Sequence, residues 1–304
     1  MPKFTFRQLE LFAALPEHTT LGSAAQQLHI SESALSHAIS ELEAALGEQL
    51  CIRRKARGMH LTPTGRHFAK RAGELLREAS ALADGLGEIR GELKGPMSLG
   101  CYTGLASNVL PAVLEGMASL HPKVEISITV GDHADLLPAL EDGTLDTAIV
   151  YDISLPADVE RRVIYKTEVM AVLGANDSLA EEDDVDLADL ATKPLIMLNT
   201  APSTEYTQLM FAQRGLKPNV GAVVPQIDLV RAMVGRGLGY SLLMSRPNQI
   251  SVSSEGKGLV TRHLRPRAGQ TSVVAVWPKE TMLTARALAV IQYAVEVLDA
   301  IEPE

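Results

Sequence analysis

Cysteine is almost absent. The 304-residue chain has two, Cys51 and Cys101, far apart and with no Cys-x-x-Cys pair. This argues against a disulfide framework and a zinc site, and each thiol reads as an ordinary buried one. Long apolar runs are missing too, and none is long enough to cross a bilayer. The opening MPKFTFRQLE lacks the apolar core of a secretory signal, so a cytoplasmic protein with no membrane partner is expected. There is no internal repeat, no low-complexity segment and no complete Gly-x-Gly-x-x-Gly. The glycines of GRGLGYS come nearest, but their strand follows instead of preceding, which fits a helix end better than a nucleotide loop. Cys101 with His121 or His133 is the one thiol–histidine pairing an enzyme would use, and nothing in the sequence orients it. No catalyst, metal or cofactor is expected.

What is present is a globular composition, 46% hydrophobic and 21% charged, with length enough for two or three domains. The net charge of −9 speaks against nucleic acid, but its distribution does not. The first 95 residues hold 12 bases and 11 acids, whereas the remainder holds 16 and 26. Between Gln49 and Gly73 stand seven bases (Arg53, Arg54, Lys55, Arg57, Arg66, Lys70, Arg71) and no acid. Such a stripe is what phosphate contact requires, although a solvated surface run reads the same way.

Residues 4–15 space their apolar side chains for an amphipathic helix, and a short helix follows over Leu21–Leu28. His29-Ile30-Ser31 breaks it. Ser31 is a good N-cap for a third helix over 32–46, with Leu35, Ile39, Leu42 and Leu46 on one face and Gly47 at its end. Two short strands, near 50–53 and 59–62, flank the basic turn RRKARG. Thr62-Pro63 then starts a long helix. Along it Phe68, Ala72, Leu75, Ala79, Leu82, Leu86, Ile89 and Leu93 alternate spacings of four and three, the seam of a coiled coil. That seam reads as a homodimer contact; packing on the chain's own body is the alternative. Gly91 to Pro96 reads as a linker. Beyond it strands (MSLGCYT, VEISITVGD, LDTAIVYD, YKTEVMAVLG, KPLIMLN, NVGAVVP, YSLLM, VVAVWP) alternate with helices near 106–119, 135–143, 204–214, 226–236 and 281–299, which predicts a parallel α/β sheet.

The N-terminal pattern is that of a helix-turn-helix. Ala24 and Ala25 allow two helices to approach, Leu28-His29-Ile30 forms the turn, and Leu35, Ala38 and Ile39 bury the third helix. Ser31, Glu32, Ser33, Ser36, His37 and Ser40 then face outward, short and polar, as base-edge contacts require.

RQLELFAAL, TLGSAAQQLHISESALSHAISELEAALGEQL and RRKARGMHLTPTG together resemble the LysR-type transcriptional regulators, without a break from about residue 6 to 65. SLGCYT, LHPKVEISITVGD, LEDGTLDTAIVYD, KPLIMLN and LVRAMVGRGLGYSLL resemble the same family's effector domain, so the likeness covers essentially the whole chain. It implies a winged helix-turn-helix over residues 1–62, a linker and dimerisation helix over 63–95, and an effector domain over 96–304. That last part would be α/β, like a type 2 periplasmic binding protein, with subdomain one at 96–165 plus 268–304 and subdomain two at 166–267. Ser33, Ser36 and His37 match recognition positions, and Arg53, Arg54, Lys55 and Arg57 match the wing. There are departures: Glu32 stands where the family usually has Gln, Ser33 where Pro is common, His37 where a base is common, and Cys51 where Phe is common. Glu32 accepts from cytosine N4 or, alternatively, merely favours the positive end of its helix. In the effector domain Thr103 matches a family site that often holds Ser or Thr, His133 departs from another such site and Gln226 stands at a third; Ser203 begins a helix and offers a donor, with Tyr102, Tyr151 and Asp152 as further lining. Caps are the alternative for Thr103 and Ser203, and a plain surface histidine is the alternative for His133. The partners implied are double-stranded DNA, a small-molecule effector, further copies in a homodimer and homotetramer, and RNA polymerase.

Overall fold

The computed structural model describes residues 3–54, 58–88, 93–245 and 251–299. Its contacts divide the chain into two compact units. One runs to Lys94 and takes in Glu141–Thr144 and Glu280–Arg286; the other holds the rest, from Gly95 onward.

In the first unit each helix begins at a residue suited to the task. Thr5 and Gln8 close a capping box at the start of α1 (Phe6–Ala13), exchanging two hydrogen bonds between side chain and backbone. The helix is shorter than the 4–15 expected, because Pro16 lies in a separate 3-10 turn, Leu15–Glu17. Thr20 caps α2 (Leu21–Gln27), and Ser31 caps α3 (Glu32–Leu46) by accepting from the Ala34 N–H at 3.1 Å. Between these helices His29 takes φ +53°, the left-handed conformation that the turn demands. Gly47 ends α3 at φ +73°. β1 (Cys51–Arg54) and β2 (Gly58–Leu61) pair antiparallel as the wing. Thr62 then accepts from the Gly65 N–H at the head of α4 (Pro63–Glu88). Phe12, Leu15, Ala24, Ala25, Leu35, Ile39, Leu42 and Leu50 fill the core, each at most 3% exposed.

The second unit starts with β3 (Gly95–Tyr102), α5 (Ala106–Leu120), β4 (Val124–Gly131), α6 (His133–Glu141) and β5 (Thr147–Tyr151). β6 (Val159–Gly174) follows, then β7 (Asp184–Asp186), α7 (Leu187–Ala191), β8 (Pro194–Leu198) and α8 (Ser203–Gln213). β9 (Asn219–Val224), α9 (Ile227–Gly235), β10 (Ser241–Ser245), β11 (Leu259–Arg265), β12 (Gln270–Pro278) and α10 (Ala285–Asp299) complete it. β3 pairs parallel with both β4 and β5, and β8 with β9. The expectation of a parallel sheet is met between β3, β4 and β5 and between β8 and β9, and needs correction at β6 and β12. Those strands run antiparallel to each other, β12 runs antiparallel to β5, and β10 and β11 run antiparallel to β6. The physical reason is connectivity. β6 carries the chain out of the first subdomain and β12 returns it, so their directions oppose. The result is one curled, mixed sheet in the order β4-β3-β5-β12-β6-β11-β7, with β10 also on β6.

Gly239 lies where α9 turns back toward β10. It adopts φ +153°, and a Cβ there would sit 2.1 Å from the Pro194 carbonyl oxygen. The glycines of GRGLGYS thus serve a tight helix-to-strand passage.

Candidate functional site

The first site is the outer face of α3. Leu35, Ile39 and Leu42 are buried on one side, while Ser33, His37 and Ser40, at spacings of four and three, are exposed on the other. Ser36 is half-buried among them and its carbonyl accepts from the Ser40 hydroxyl at 3.0 Å. Ser31 is spent on the cap and lies 3.0 Å from the Ser33 hydroxyl. Glu32 leans back on α2, since a Cβ on Gly22 would lie 3.3 Å from its Oε2. His37 Nδ1 is 3.6 Å from Glu41 on the next turn, both widely exposed. Arg53 and Arg54 end β1 at the wing; Lys55 and Arg57 lie outside the described residues.

At the start of the α4 seam Phe68 is half-buried and packs edge-on against Phe12 (centroids 5.7 Å apart) and Phe4 (6.1 Å), beside the core of its own domain, and Ala72 is buried as well. Leu75 is 42% exposed. Leu82 and Leu86 follow on the same helix, and Ile89 lies outside the described residues.

The second site lies in the α/β unit, where the ends of β3 and β5 meet the loop after β8. Tyr102, last residue of β3, is 1% exposed, and its Oη lies 2.8 Å from Thr200 Oγ1 and 3.1 Å from Ser203 Oγ. One phenol thereby joins the two subdomains. Burial raises its pKa, and Asp132 and Glu205 add to the rise, so the hydroxyl stays neutral. Edge-on contacts at 5.7 and 5.4 Å bring the His133 and Tyr151 rings against it. Burial lowers the pKa of His133, which leaves the ring neutral at pH 7. Its Nε2 is buried with no hydrogen-bond partner among the described residues. Tyr151 is buried and within electrostatic reach of Arg231 on α9.

The sequence-derived residues thus separate. Tyr102, His133 and Ser203 come together. The N-cap of α8 is Pro202 and Ser203 is its first residue, whose hydroxyl meets Tyr102. The Thr103 N–H is taken by the Gly131 carbonyl at 2.9 Å, so only the side chain remains for a ligand. Gln226 is exposed at the N-cap of α9 and makes no side-chain cap bond. Asp152 pairs with Arg161 at 2.6 Å, and no described contact joins it to the Tyr102 group. Sequence reasoning missed Thr200 and Arg231. Thr200, in a short polar loop right after a strand, carried a usable signal; Arg231, one charge on an amphipathic helix, carried none.

A capped helix-turn-helix with a two-stranded wing, and a two-subdomain α/β unit with a polar group lodged between its lobes, define a DNA-binding regulator that senses a small molecule. Residues 6–66 match the family description "Bacterial regulatory helix-turn-helix protein, lysR family", and residues 90–299 match "LysR substrate binding domain". The chain belongs to the LysR-type transcriptional regulators. It is 30% identical over 240 residues to the transcriptional activator IlvY of Salmonella typhimurium, covering 78% of this chain and 81% of the relative. It is 32% identical over 272 residues to the "Probable hydrogen peroxide-inducible genes activator" of Mycobacterium avium, covering 88% and 86%. The crystal structure of the LysR family protein PA01 of Pseudomonas aeruginosa matches with a TM-score of 0.63 at 31% identity, covering 97% of this chain and 99% of the other.

Proposed function

We propose that this regulator binds an inverted-repeat operator through the outward residues of α3, with the wing arginines on phosphate, and that an effector between the α/β subdomains modulates it. The observation that carries the reading is the division of α3 into a buried Leu35–Ile39–Leu42 face and an exposed Ser33–His37–Ser40 face. Three parts serve three tasks: 1–62 reads DNA, 63–95 joins two copies, and 96–304 senses. The sensing part divides into 96–165 with 268–304, and 166–267. The part of α4 that begins at the exposed Leu75 pairs with a second copy, and effector domains join dimers into a tetramer. Two-fold symmetry then sets two recognition helices on matching half-sites. Effector binding between the subdomains shifts the balance of two arrangements, and with it DNA bending and the approach of RNA polymerase. The protein works in the cytoplasm, as its family role implies, and no helix among the described residues is long and apolar enough to cross a membrane. It acts by binding, not catalysis. Sensing of peroxide by a thiol is disfavoured, because both cysteines are buried and burial pushes the Cys101 thiol up to about 12.

Fluorescence anisotropy with DNA from upstream of the protein's own gene, against scrambled DNA across a salt series, tests this. Tight, selective and salt-sensitive binding is expected. Equal binding to both DNAs would remove the sequence-reading role of α3.

A further inference from the structure

We infer that Glu43 is a positioning residue for DNA recognition: from α3 it holds the root of the wing, and so sets where Arg53 and Arg54 meet phosphate. This rests on the reading of the wing arginines as phosphate contacts.

The wing is small. Its two strands have four residues each, and a two-stranded hairpin of that size does not hold an orientation of its own in water. The direction in which it carries Arg53 and Arg54 has to be set at its root. Leu50, Cys51 and Met59 are buried there. Apolar burial holds the hairpin down but is non-directional, whereas hydrogen bonds can aim it. The Met59 N–H donates to the Thr19 carbonyl at 2.8 Å. The Leu50 carbonyl accepts from the Thr62 N–H at 2.9 Å and from the Thr62 hydroxyl at 3.2 Å, which ties it to the head of α4. The N–H groups of Leu50 and Cys51 both donate to Glu43 Oε1, at 2.8 and 3.0 Å. Of these acceptors Glu43 is the one charged side chain, and bonds to a carboxylate are the stronger kind. Its own carbonyl accepts from the Gly47 N–H at 2.8 Å and the Glu48 N–H at 3.3 Å, so one residue fixes both ends of the 47–51 connection.

The place of Glu43 on α3 gives these bonds their meaning. Ser36, Ser40 and Glu43 follow at spacings of four and three, so the helix face that carries Ser36 and Ser40 also carries the wing's anchor. Base-reading side chains and phosphate-binding arginines are thereby referred to one rigid element. An acid in a DNA-binding unit weakens binding by its charge alone, and what offsets that here is the pair of N–H groups it accepts from.

The test measures anisotropy of the full chain with scrambled duplex DNA, and with DNA from upstream of its own gene, across a salt series. The double variant Arg53→Ala/Arg54→Ala sets the reference. Its slope of log affinity against log salt should flatten by about two, roughly one per lost phosphate contact. Glu43→Ala should weaken binding to both DNAs at least fivefold and flatten the slope by at least one, although deleting an acid would by charge alone tighten binding. Added to the double arginine variant, Glu43→Ala should cost less than a further twofold, since the wing has nothing left to place. Glu43→Gln keeps the acceptor without the charge and should bind at least as well as the wild type. Glu43→Asp keeps the charge but falls a methylene short, and should fail as alanine does; with Glu43→Gln it carries the test if the alanine variant does not fold. Far-ultraviolet circular dichroism follows folding, joined for the α/β unit by the fluorescence of Trp277, the single tryptophan, on β12. The inference is overturned if glutamine fails as alanine does, if the slope keeps its wild-type value in the alanine and aspartate variants, or if the loss is as large without the arginines as with them. An unchanged slope in the double arginine variant would sink the wing reading first, and the inference with it.

Discussion

In the N-terminal unit the polar residues of interest stand outward from a capped helix, whereas in the α/β unit they are turned inward against one another. Ser33 and His37 are exposed; Tyr102 is 1% and His133 8% exposed. The difference matches the tasks proposed for the two faces. A duplex is larger than the domain that reads it, so the protein presents a convex face. A small molecule has to be surrounded, which requires desolvated groups from two lobes. One consequence is that the two units should fail separately.

The largest expected effect is at Gly239. Alanine there would place its Cβ against the Pro194 carbonyl in a backbone conformation that L side chains rarely adopt. A loss of about 5 kcal/mol is expected, toward the extreme for a single substitution. The Trp277 fluorescence transition in urea should move to lower denaturant while the N-terminal domain stays folded. Next comes Phe12→Ala, which removes a fully buried ring from the first unit's core at a cost of about 3–4 kcal/mol. It should abolish binding to every DNA sequence and leave the Trp277 transition in place. If that transition moved as far as the DNA-binding loss implies, the two units would be one cooperative block, and the comparison would break.

The same contrast decides what the sequence discloses. Ser31, Thr62 and Gly47 were legible because a cap is a local event: the residue acts on a backbone N–H or carbonyl within a few positions. Leu35 was legible through helical periodicity, and Ala24 as the small residue that a close helix approach requires. The cleft depends on tertiary placement, and there local pattern gives out. Arg231 looks like the solvated side of a short helix, yet its side chain is only 11% exposed. The first half of β6, Val159–Ile164, reads VERRVI, and its exposed charges hide a strand that the curled sheet requires. β11 was passed over for a similar reason, its LVTRHLR mixing charge with apolar residues. Phe68 fits the coiled-coil spacing perfectly well and still packs beside the core of its own domain, because a heptad pattern does not say where its partner comes from.

A smaller effect is expected at Tyr102, where Phe would keep the ring contacts with His133 and Tyr151 but remove the bond to Thr200 and Ser203. About 1–2 kcal/mol of stability should be lost, less if the two hydroxyls re-pair. Because that phenol joins the subdomains, the loss should appear in the Trp277 transition and leave binding to DNA alone within twofold. An unchanged transition would mean that the cross-lobe bond holds nothing together.

The smallest effect sharpens the comparison most. Ser31 is read in two ways, as the cap of α3 and as a residue facing DNA, and the structure shows its hydroxyl accepting from Ala34 N–H. Ser31→Ala should cost about 1 kcal/mol of stability through the lost cap. Asn caps as well as Ser, so Ser31→Asn should restore that stability. If Ser31 acts only as a cap, selective DNA binding returns with it, and the salt slope is the same in all three proteins because no phosphate contact has changed. If stability returns and selectivity does not, the hydroxyl also touches the operator. The outward face of α3 would then begin at the cap itself, two residues earlier than Ser33.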